Sequence, residues 1–252
     1  MTDIYKAPDA SLSNEQLPGE YGSLEKGIAG DYEFSVGNTL SEAWEKTNGA
    51  KWTFNIAFAL YFVAAFAIMF VANLVMVPFF INMDPNAGMG PVITASIIQQ
   101  LVMNLLLMPI AMGLFMLGIK RAVDAPIVAS SIFGYFSKML TILGTLILVY
   151  VMVTIGFLLL VIPGIYLSIA YMMALPLVVE KGLSPWAAME ASRKAITKRW
   201  FSFLGFFIVM TIIIFISMLP LGIGLIWTMP MMMIAFGIIY RNMFGCEAST
   251  IN

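Results

Sequence analysis

Long apolar stretches alternate with short polar ones along most of this chain. Apolar runs cover about residues 53–81, 92–117 and 137–161; a fourth follows Pro163 and ends at Val179, and two more cover about 200–219 and 225–244. About 20 apolar residues in a helix suffice to cross a bilayer, because each adds about 1.5 Å and the hydrocarbon core is about 30 Å thick. The pattern therefore predicts six transmembrane helices, of which the fourth is short and contains Pro176, so that it is either kinked or only barely spans the bilayer.

Turn-forming residues join the runs at one side of the predicted membrane, and charged linkers join them at the other. The turns lie at 82–91, at Pro163 and Gly164, and at Pro220, Gly222 and Gly224. Signals that start a helix occur in each linker: a capping box of Thr39 and Glu42 with a helix to about Asn48, Asp124 with Pro126, and Ser184 with Pro185. We predict an all-α polytopic membrane protein, with six transmembrane helices as three hairpins that each follow a short interfacial helix.

The linker helix from Ser184 to Arg199 is amphipathic in its spacing. Its apolar side comprises Trp186, Met189 and Ile196, followed by Trp200 at the start of the next run. Trp is favoured at the headgroup layer, and cationic side chains there attract anionic lipid. Arg193 falls inside the apolar side and is expected to extend its charged end toward water. The candidate lipid- or partner-contacting residues are Lys181, Trp186, Arg193, Lys194, Lys198, Arg199 and Trp200.

Two linkers resemble each other when the chain is shifted by 148 residues. The segment that starts at Glu42 then lies over the segment that starts at Glu190. Identical pairs are Glu42 and Glu190, Ala43 and Ala191, Lys46 and Lys194, Trp52 and Trp200, and Phe58 and Phe206. Since both copies precede an apolar run, an internal repeat of a linker helix plus hairpin is predicted, with a weaker middle copy that starts at Asp124.

Charge is distributed on one side of this predicted topology. All 13 Lys and Arg residues fall on the side of the N-terminus, which marks the cytoplasmic side. Both termini are therefore predicted to be cytoplasmic. Residues 1–34 carry seven acids against two lysines and are expected to be a disordered tail that could dock on the basic linkers. Residues 35–245 form the predicted membrane domain, and 246–252 form a short C-terminal tail.

Several kinds of chemistry are missing from the sequence. The chain has no His and a single Cys, so it offers no catalytic triad, no His-based metal site and no internal disulfide. The net charge of −1 gives no attraction toward nucleic acid. We expect no cofactor and no catalytic site, and hence a protein that is not an enzyme.

Amide side chains stand out within the second apolar run, at Gln99, Gln100 and Asn104. Amides inside a bilayer need hydrogen-bonding partners, most simply on a neighbouring helix. These candidate intramembrane polar contacts have two interpretations. Packing against a helix would favour a scaffold, and facing a cavity would favour a transporter.

One stretch resembles a loose group of bacterial integral membrane proteins, the YciC-like proteins and the membrane domain of some glycerophosphodiester phosphodiesterases. The matching residues are Pro163, Gly164, Leu175, Pro176, Glu180, Ala191, Ser192 and Lys194. The likeness covers the last 90 residues well and the first half mainly through the repeat. It implies a six-span inner-membrane fold without the phosphodiesterase domain and leaves the function uncharacterised.

The sequence favours a non-catalytic scaffold or accessory protein that uses a basic cytoplasmic face. Its expected partners are membrane lipids with anionic headgroups, and either another protein or a second copy of the chain. The alternative is a transporter or channel for an apolar or lipid-like substrate, with a cavity between the hairpins.

Overall fold

Helices make up all the regular secondary structure in the part of the chain that the computed structural model describes, residues 21–82 and 88–251. The predicted all-α class is confirmed for this part. The α-helices are α1 (Leu24–Ala29), α2 (Val36–Thr47), α3 (Lys51–Ile81), α4 (Gly90–Ala122), α5 (Met139–Leu159), α6 (Val161–Ala170), α7 (Ala174–Lys181), α8 (Pro185–Thr197), α9 (Trp200–Met218), α10 (Leu225–Phe244) and α11 (Ala248–Ile251). A 3₁₀ helix, Ala129–Lys138, precedes α5.

Five helical segments of the described chain are long and apolar enough to cross a membrane, which agrees with a multi-pass membrane protein. They are Lys51–Phe79, Gly90–Ala122, Ala129–Leu159, Val161–Lys181 and Trp200–Met218. The sixth predicted span, α10, has 20 residues but is not among them. Its last turns contain Tyr240, Arg241 and Asn242, which lower its mean hydropathy. Its length and composition therefore do not by themselves mark α10 as a crossing helix.

The break between the third and fourth runs lies before the predicted turn, and the fourth run is itself interrupted. Leu160 is extended and separates α5 from α6, whereas Pro163 lies in the first turn of α6. Pro163 is tolerated there because the first turn needs no backbone donor at that position. The helix then stops at residues 171–173 and resumes at Ala174, so Pro176 lies in the first turn of α7. The fourth run is therefore interrupted directly before Pro176, as expected of a proline that has no N–H to bond to the preceding turn.

The helix starts in the linkers agree only in part with the sequence signals. Ser35 caps α2, with its hydroxyl accepting from the Asn38 backbone N–H, so the predicted capping box at Thr39 is wrong. Asp124 has a positive φ of 58° and follows the end of α4. The short helix after it begins at Ala129 and is of the 3₁₀ type. Only α8 begins as predicted, with Ser184 before it and Pro185 first.

The short helices follow one packing rule. Three consecutive units run from α2 to α4, from the 3₁₀ helix to α7, and from α8 to α10. The 3₁₀ helix packs on α4, and α8 packs on α6 and α7, so each lies against the last helices of the preceding unit. The helix α2 packs on α10, which closes the series from the first unit to the last. Each short helix therefore has a protein partner along one side.

Two of the five repeated pairs occupy equivalent places in the first and third units. Ala43 and Ala191 are buried on the packed sides of α2 and α8. Phe58 and Phe206 are buried in the following helices. Small residues on the short helices allow close helix approach, and the buried rings fill the core behind them. The sequence repeat thus corresponds to a repeat of packing roles for these Ala and Phe pairs, but not for the tryptophans, since Trp52 is 64% exposed and Trp200 is half-buried.

A close backbone contact in the core joins α4 to α10. A Cβ on Gly118 would lie 2.1 Å from the Met233 carbonyl oxygen, and one on Gly237 would lie 2.2 Å from the Gly118 carbonyl oxygen. The two backbones touch because neither glycine has a side chain. This contact anchors α10 in the bundle beside a helix of crossing length.

The disorder predicted for residues 1–34 is wrong for the part that is described. Residues 1–20 lie outside the described residues. From residue 21 onward the segment folds against the helices: α1 packs on α8 and α10, and the Phe34 ring stacks on Phe203 at 4.4 Å. The Tyr32 hydroxyl donates to the Ala195 carbonyl at 2.9 Å. Buried aromatic contacts between distant segments stabilise this end, which the acidic composition had hidden.

The C-terminal residues are also held by the bundle. Thr250, in α11, is buried, and residues of the preceding turn bond to the end of α7. Cys246 lies in that turn, and burial raises the pKa of its thiol to about 12. The predicted C-terminal tail is therefore a packed segment up to Ile251.

Candidate functional site: the basic linker surface

The helix α8 buries a different side from the one predicted. Its buried residues include Ala188, Ala191, Ser192 and Ala195, a row of small side chains at helical spacing that lets α8 approach its neighbours closely. Met189 and Ile196 flank this row and are also buried. The prediction that Met189 and Ile196 face lipid is therefore wrong, because protein already covers them.

The exposed side of α8 mixes one aromatic with charged residues. Trp186 is 57% exposed, and Arg193 lies on the same side of the helix. Arg193 does not extend through apolar surroundings as expected, since its guanidinium makes two bonds to Glu190, at 3.0 and 2.9 Å. Lys194 approaches the same carboxylate at 3.7 Å and its side chain is 53% exposed. The bond from Arg193 holds the pKa of Glu190 below its ordinary value.

Two cations at the end of α8 remain available. Lys198 and Arg199 are exposed, and within the described residues no carboxylate lies at ion-pair distance from either. The Arg199 guanidinium lies over the Tyr32 ring at 5.6 Å, which fixes its position without neutralising it. Burial raises the pKa of Tyr32 to about 12 despite this cation, so the phenol stays neutral.

Trp200 connects this surface to the start of α9. Its indole N–H donates to the Tyr166 carbonyl at 3.3 Å, and its ring lies beside Tyr166. The Tyr166 hydroxyl pairs with Thr197 at 2.6 Å. The indole is half-buried and held in place. Lys194, Lys198, Arg199 and Trp200 together form what we call the basic surface.

Lys181 does not belong to the basic surface, although the sequence suggested that it would. Its side chain is only 10% exposed and binds Glu247 at 2.9 Å. It also lies 3.6 Å from Glu180, whose side chain is fully buried. A cation satisfied in this way has little left to offer a lipid headgroup.

Glu180 is the centre of a polar cluster that sequence reasoning did not single out as a site. Its carboxylate accepts from the Tyr240 hydroxyl at 2.9 Å, the Glu247 backbone N–H at 2.5 Å and the Thr250 hydroxyl at 3.1 Å. These donors come from α10 and the C-terminal segment, so the cluster joins them to α7. Glu180 is one of the residues on which the resemblance to YciC-like proteins rests. That motif was the one feature of the sequence that could have marked Glu180 as a candidate.

A second missed cluster joins the first and third units. Arg241 binds both oxygens of Glu42, at 2.8 and 3.1 Å, and donates to the Ala122 carbonyl at 2.6 Å. The Tyr21 ring lies 4.7 Å from its guanidinium. Arg241 is 7% exposed, so this is a largely buried ion pair. A polar cleft of about 340 Å³ adjoins it, with Glu33, Asn38, Glu42, Arg199 and Asn242 in its lining.

In the described part of the chain, the three amide side chains of α4 neither bond to a neighbouring helix nor face a cavity, which were the two interpretations that the sequence offered. Asn104 donates to the Gln100 carbonyl of its own helix at 2.9 Å, and Gln100 is exposed. Gln99 is half-buried, and among the described residues neither glutamine side chain makes a hydrogen bond. The apolar groove between α3 and α4, about 410 Å³, is lined by Val75, Met76, Phe79, Pro91, Thr94, Ala95 and Ile98. The amides are therefore outside this groove and unbonded to a neighbouring helix.

Comparison with known proteins adds no identity: no family model, no curated protein and no solved structure matches this chain. The resemblance to YciC-like membrane proteins rests on the sequence motif alone.

Proposed function

We propose that the chain is a non-catalytic, six-span protein of a bacterial inner membrane with both termini in the cytoplasm. It acts as a scaffold or accessory protein whose basic surface binds anionic lipid headgroups. The α10 helix is the sixth span in this proposal. Its support is the contact of Gly118 with Met233 and Gly237, which packs α10 along a helix of crossing length.

The observation that carries the lipid proposal is the state of Lys198 and Arg199. Lys198 and Arg199 are exposed at the start of α9, a segment of crossing length. The other described linker cations are either within ion-pair distance of a carboxylate or partly buried: Lys46, Arg121, Lys181, Arg193 and Lys194 in the first group, and Lys51, Lys120 and Lys138 in the second. Trp200 adjoins them, and indoles favour the headgroup layer. Each cation near an anionic surface contributes about 1 kcal/mol of attraction. Lys198 and Arg199 thus place two unneutralised charges where headgroups would lie.

Lipid retention by the purified full chain tests this role. In native mass spectrometry from a mixed extract, we expect anionic phospholipid to be retained over zwitterionic phospholipid. Lys198→Gln and Arg199→Gln should each reduce that retention several-fold. Lys46→Gln removes the same charge from a cation that already binds Asp124 at 2.6 Å, and should have little effect. Equal losses for all three variants, or equal retention of both lipid classes, would contradict specific recognition by the basic surface.

A further inference from the structure

The outward side of α4 carries a polar row in the midst of apolar surface. Ser96, Gln100 and Asn104 recur at four-residue spacing and therefore share one side of the helix, and Gln99, three residues after Ser96, lies at the edge of that side. The residues of α4 that line the groove toward α3, Ala95 and Ile98 among them, lie on other sides of the helix. The row therefore points away from the neighbouring α3.

This row lies within the depth of a bilayer. The 33 residues of α4 extend about 50 Å, longer than the roughly 30 Å of hydrocarbon. With the bilayer centred on the helix, Asn104 and Gln100 lie within about 10 Å of the midplane. Ile93, Ile97 and Leu101 are exposed beside them, as expected for a surface in contact with lipid or with another membrane protein.

Hydrogen bonding within the chain leaves part of the row unsatisfied. Ser96 donates to the Val92 carbonyl and Asn104 to the Gln100 carbonyl, both within α4. The side chain of Gln100 is exposed and, within the described chain, makes no hydrogen bond. Lipid tails offer neither donors nor acceptors, so an amide in this position gains free energy from any protein partner that supplies both.

We propose that the polar row of α4 is a self-association surface, and that its occupant is the same row of a second copy of this chain. An amide has a carbonyl acceptor and an N–H donor on one plane. Two identical amides related by a two-fold axis therefore satisfy each other, which a partner carrying only charges or only acceptors would not do. Ser96 is small enough to let the two helices approach closely. This inference depends on α4 lying in the membrane and is independent of lipid binding by the basic surface.

Cysteine crosslinking in native membranes tests the geometry. In a Cys246→Ser background, Ser96→Cys and Gln100→Cys should form disulfide-linked dimers upon mild oxidation. Val102→Cys provides the matched control, because Val102 is 41% exposed at nearly the same depth but on another side of α4. We expect dimers at 96 and 100 and monomer at 102. Monomer at all three positions, or crosslinking only at 102, would overturn the proposed surface.

Energy transfer between labelled copies in liposomes of increasing lipid content tests the chemistry. Gln99→Leu with Gln100→Leu should weaken association by about threefold to tenfold per lost amide bond. Val102→Leu should leave it unchanged. Association that is unaffected by loss of both glutamines would show that the amides do not hold the dimer. A different protein that co-purifies with the wild-type chain and is lost from the double variant would replace the second copy as occupant and refute the proposal.

Discussion

Ser192 shows how one buried hydroxyl can organise an interruption between two helices. It is fully buried, donates to the Ala170 carbonyl at 2.7 Å and accepts from the Met173 backbone N–H at 3.1 Å. These two groups lie at the break between α6 and α7, where the helical hydrogen bonds are interrupted. The hydroxyl therefore satisfies backbone groups that would otherwise be buried without partners.

Replacing this hydroxyl should destabilise the protein. Ser192→Ala leaves the Ala170 carbonyl and the Met173 N–H unpaired, which costs about 1–3 kcal/mol in free energy of unfolding. Ser202→Ala, at an exposed serine of α9, is the control and should change stability by less than about 0.5 kcal/mol. Unfolding in detergent checks both. A Ser192→Ala protein as stable as the control would mean that water replaces the hydroxyl at the break.

For single residues, the sequence shows which side chains are charged but not which of them are already paired with a carboxylate. Lys181 and Lys198 both lie in a basic linker and look alike in the sequence. Lys181 forms ion pairs with Glu247 and Glu180, whereas Lys198 is exposed. Glu247 lies 66 residues further along the chain. Only the tertiary fold places it beside Lys181, so local charge patterns could not separate the two.

The bounds of the helices could be predicted from the sequence better than the helices against which each one packs. The runs predicted for α9 and α10 end within a residue of the observed helices because Gly and Pro bound them. The break between α6 and α7 was predictable from Pro176, whereas the hydroxyl that satisfies its backbone groups, Ser192 of another helix, was not. The side of α8 that packs on protein was predicted wrongly, because the prediction followed the large apolar residues of α8 rather than its row of small ones. Small residues are the ones that allow close contacts between helices in membranes.

The glycine contact between α4 and α10 should tolerate no added side chain. Gly118→Ala would bring a methyl group to 2.1 Å from the Met233 carbonyl oxygen, so one backbone must move, at a cost of about 1–3 kcal/mol or more. Gly144→Ala in α5 is the matched control, because nothing lies within 4 Å of its added Cβ. The control should be neutral or slightly stabilised, since Ala favours helix over Gly. Comparable melting temperatures for the two variants would show that α4 and α10 separate easily.

The whole chain should alternate across the membrane in the order of the six proposed spans. In a Cys246→Ser background, Met89→Cys and Leu221→Cys lie at exposed turns that should be outside, whereas Glu25→Cys and Ser249→Cys should be inside. An impermeant thiol reagent on intact cells should label only the first two, and all four after lysis. Labelling at 249 in intact cells would show that α10 does not cross, and labelling at 25 would reverse the orientation.

The first and last units are joined by a contact that spans nearly the whole chain, between Glu42 of α2 and Arg241 of α10. The sequence repeat predicted similar units, but it could not show that the first unit packs on the last.

Removing the carboxylate with Glu42→Ala leaves the Arg241 charge nearly buried. Among the described residues, its remaining hydrogen-bond acceptors are then the Ala122 carbonyl and the Asn242 amide. Loss of one partner from such a pair costs about 3–5 kcal/mol, reduced here because the Glu42 side chain is 34% exposed. Lys46→Ala, which breaks a pair to the 63% exposed Asp124, should cost no more than about 1 kcal/mol. In the same detergent, the melting temperature of Glu42→Ala should therefore be well below that of Lys46→Ala. Equal melting temperatures would mean that apolar packing of α2 on α10 joins the first and last units without the ion pair.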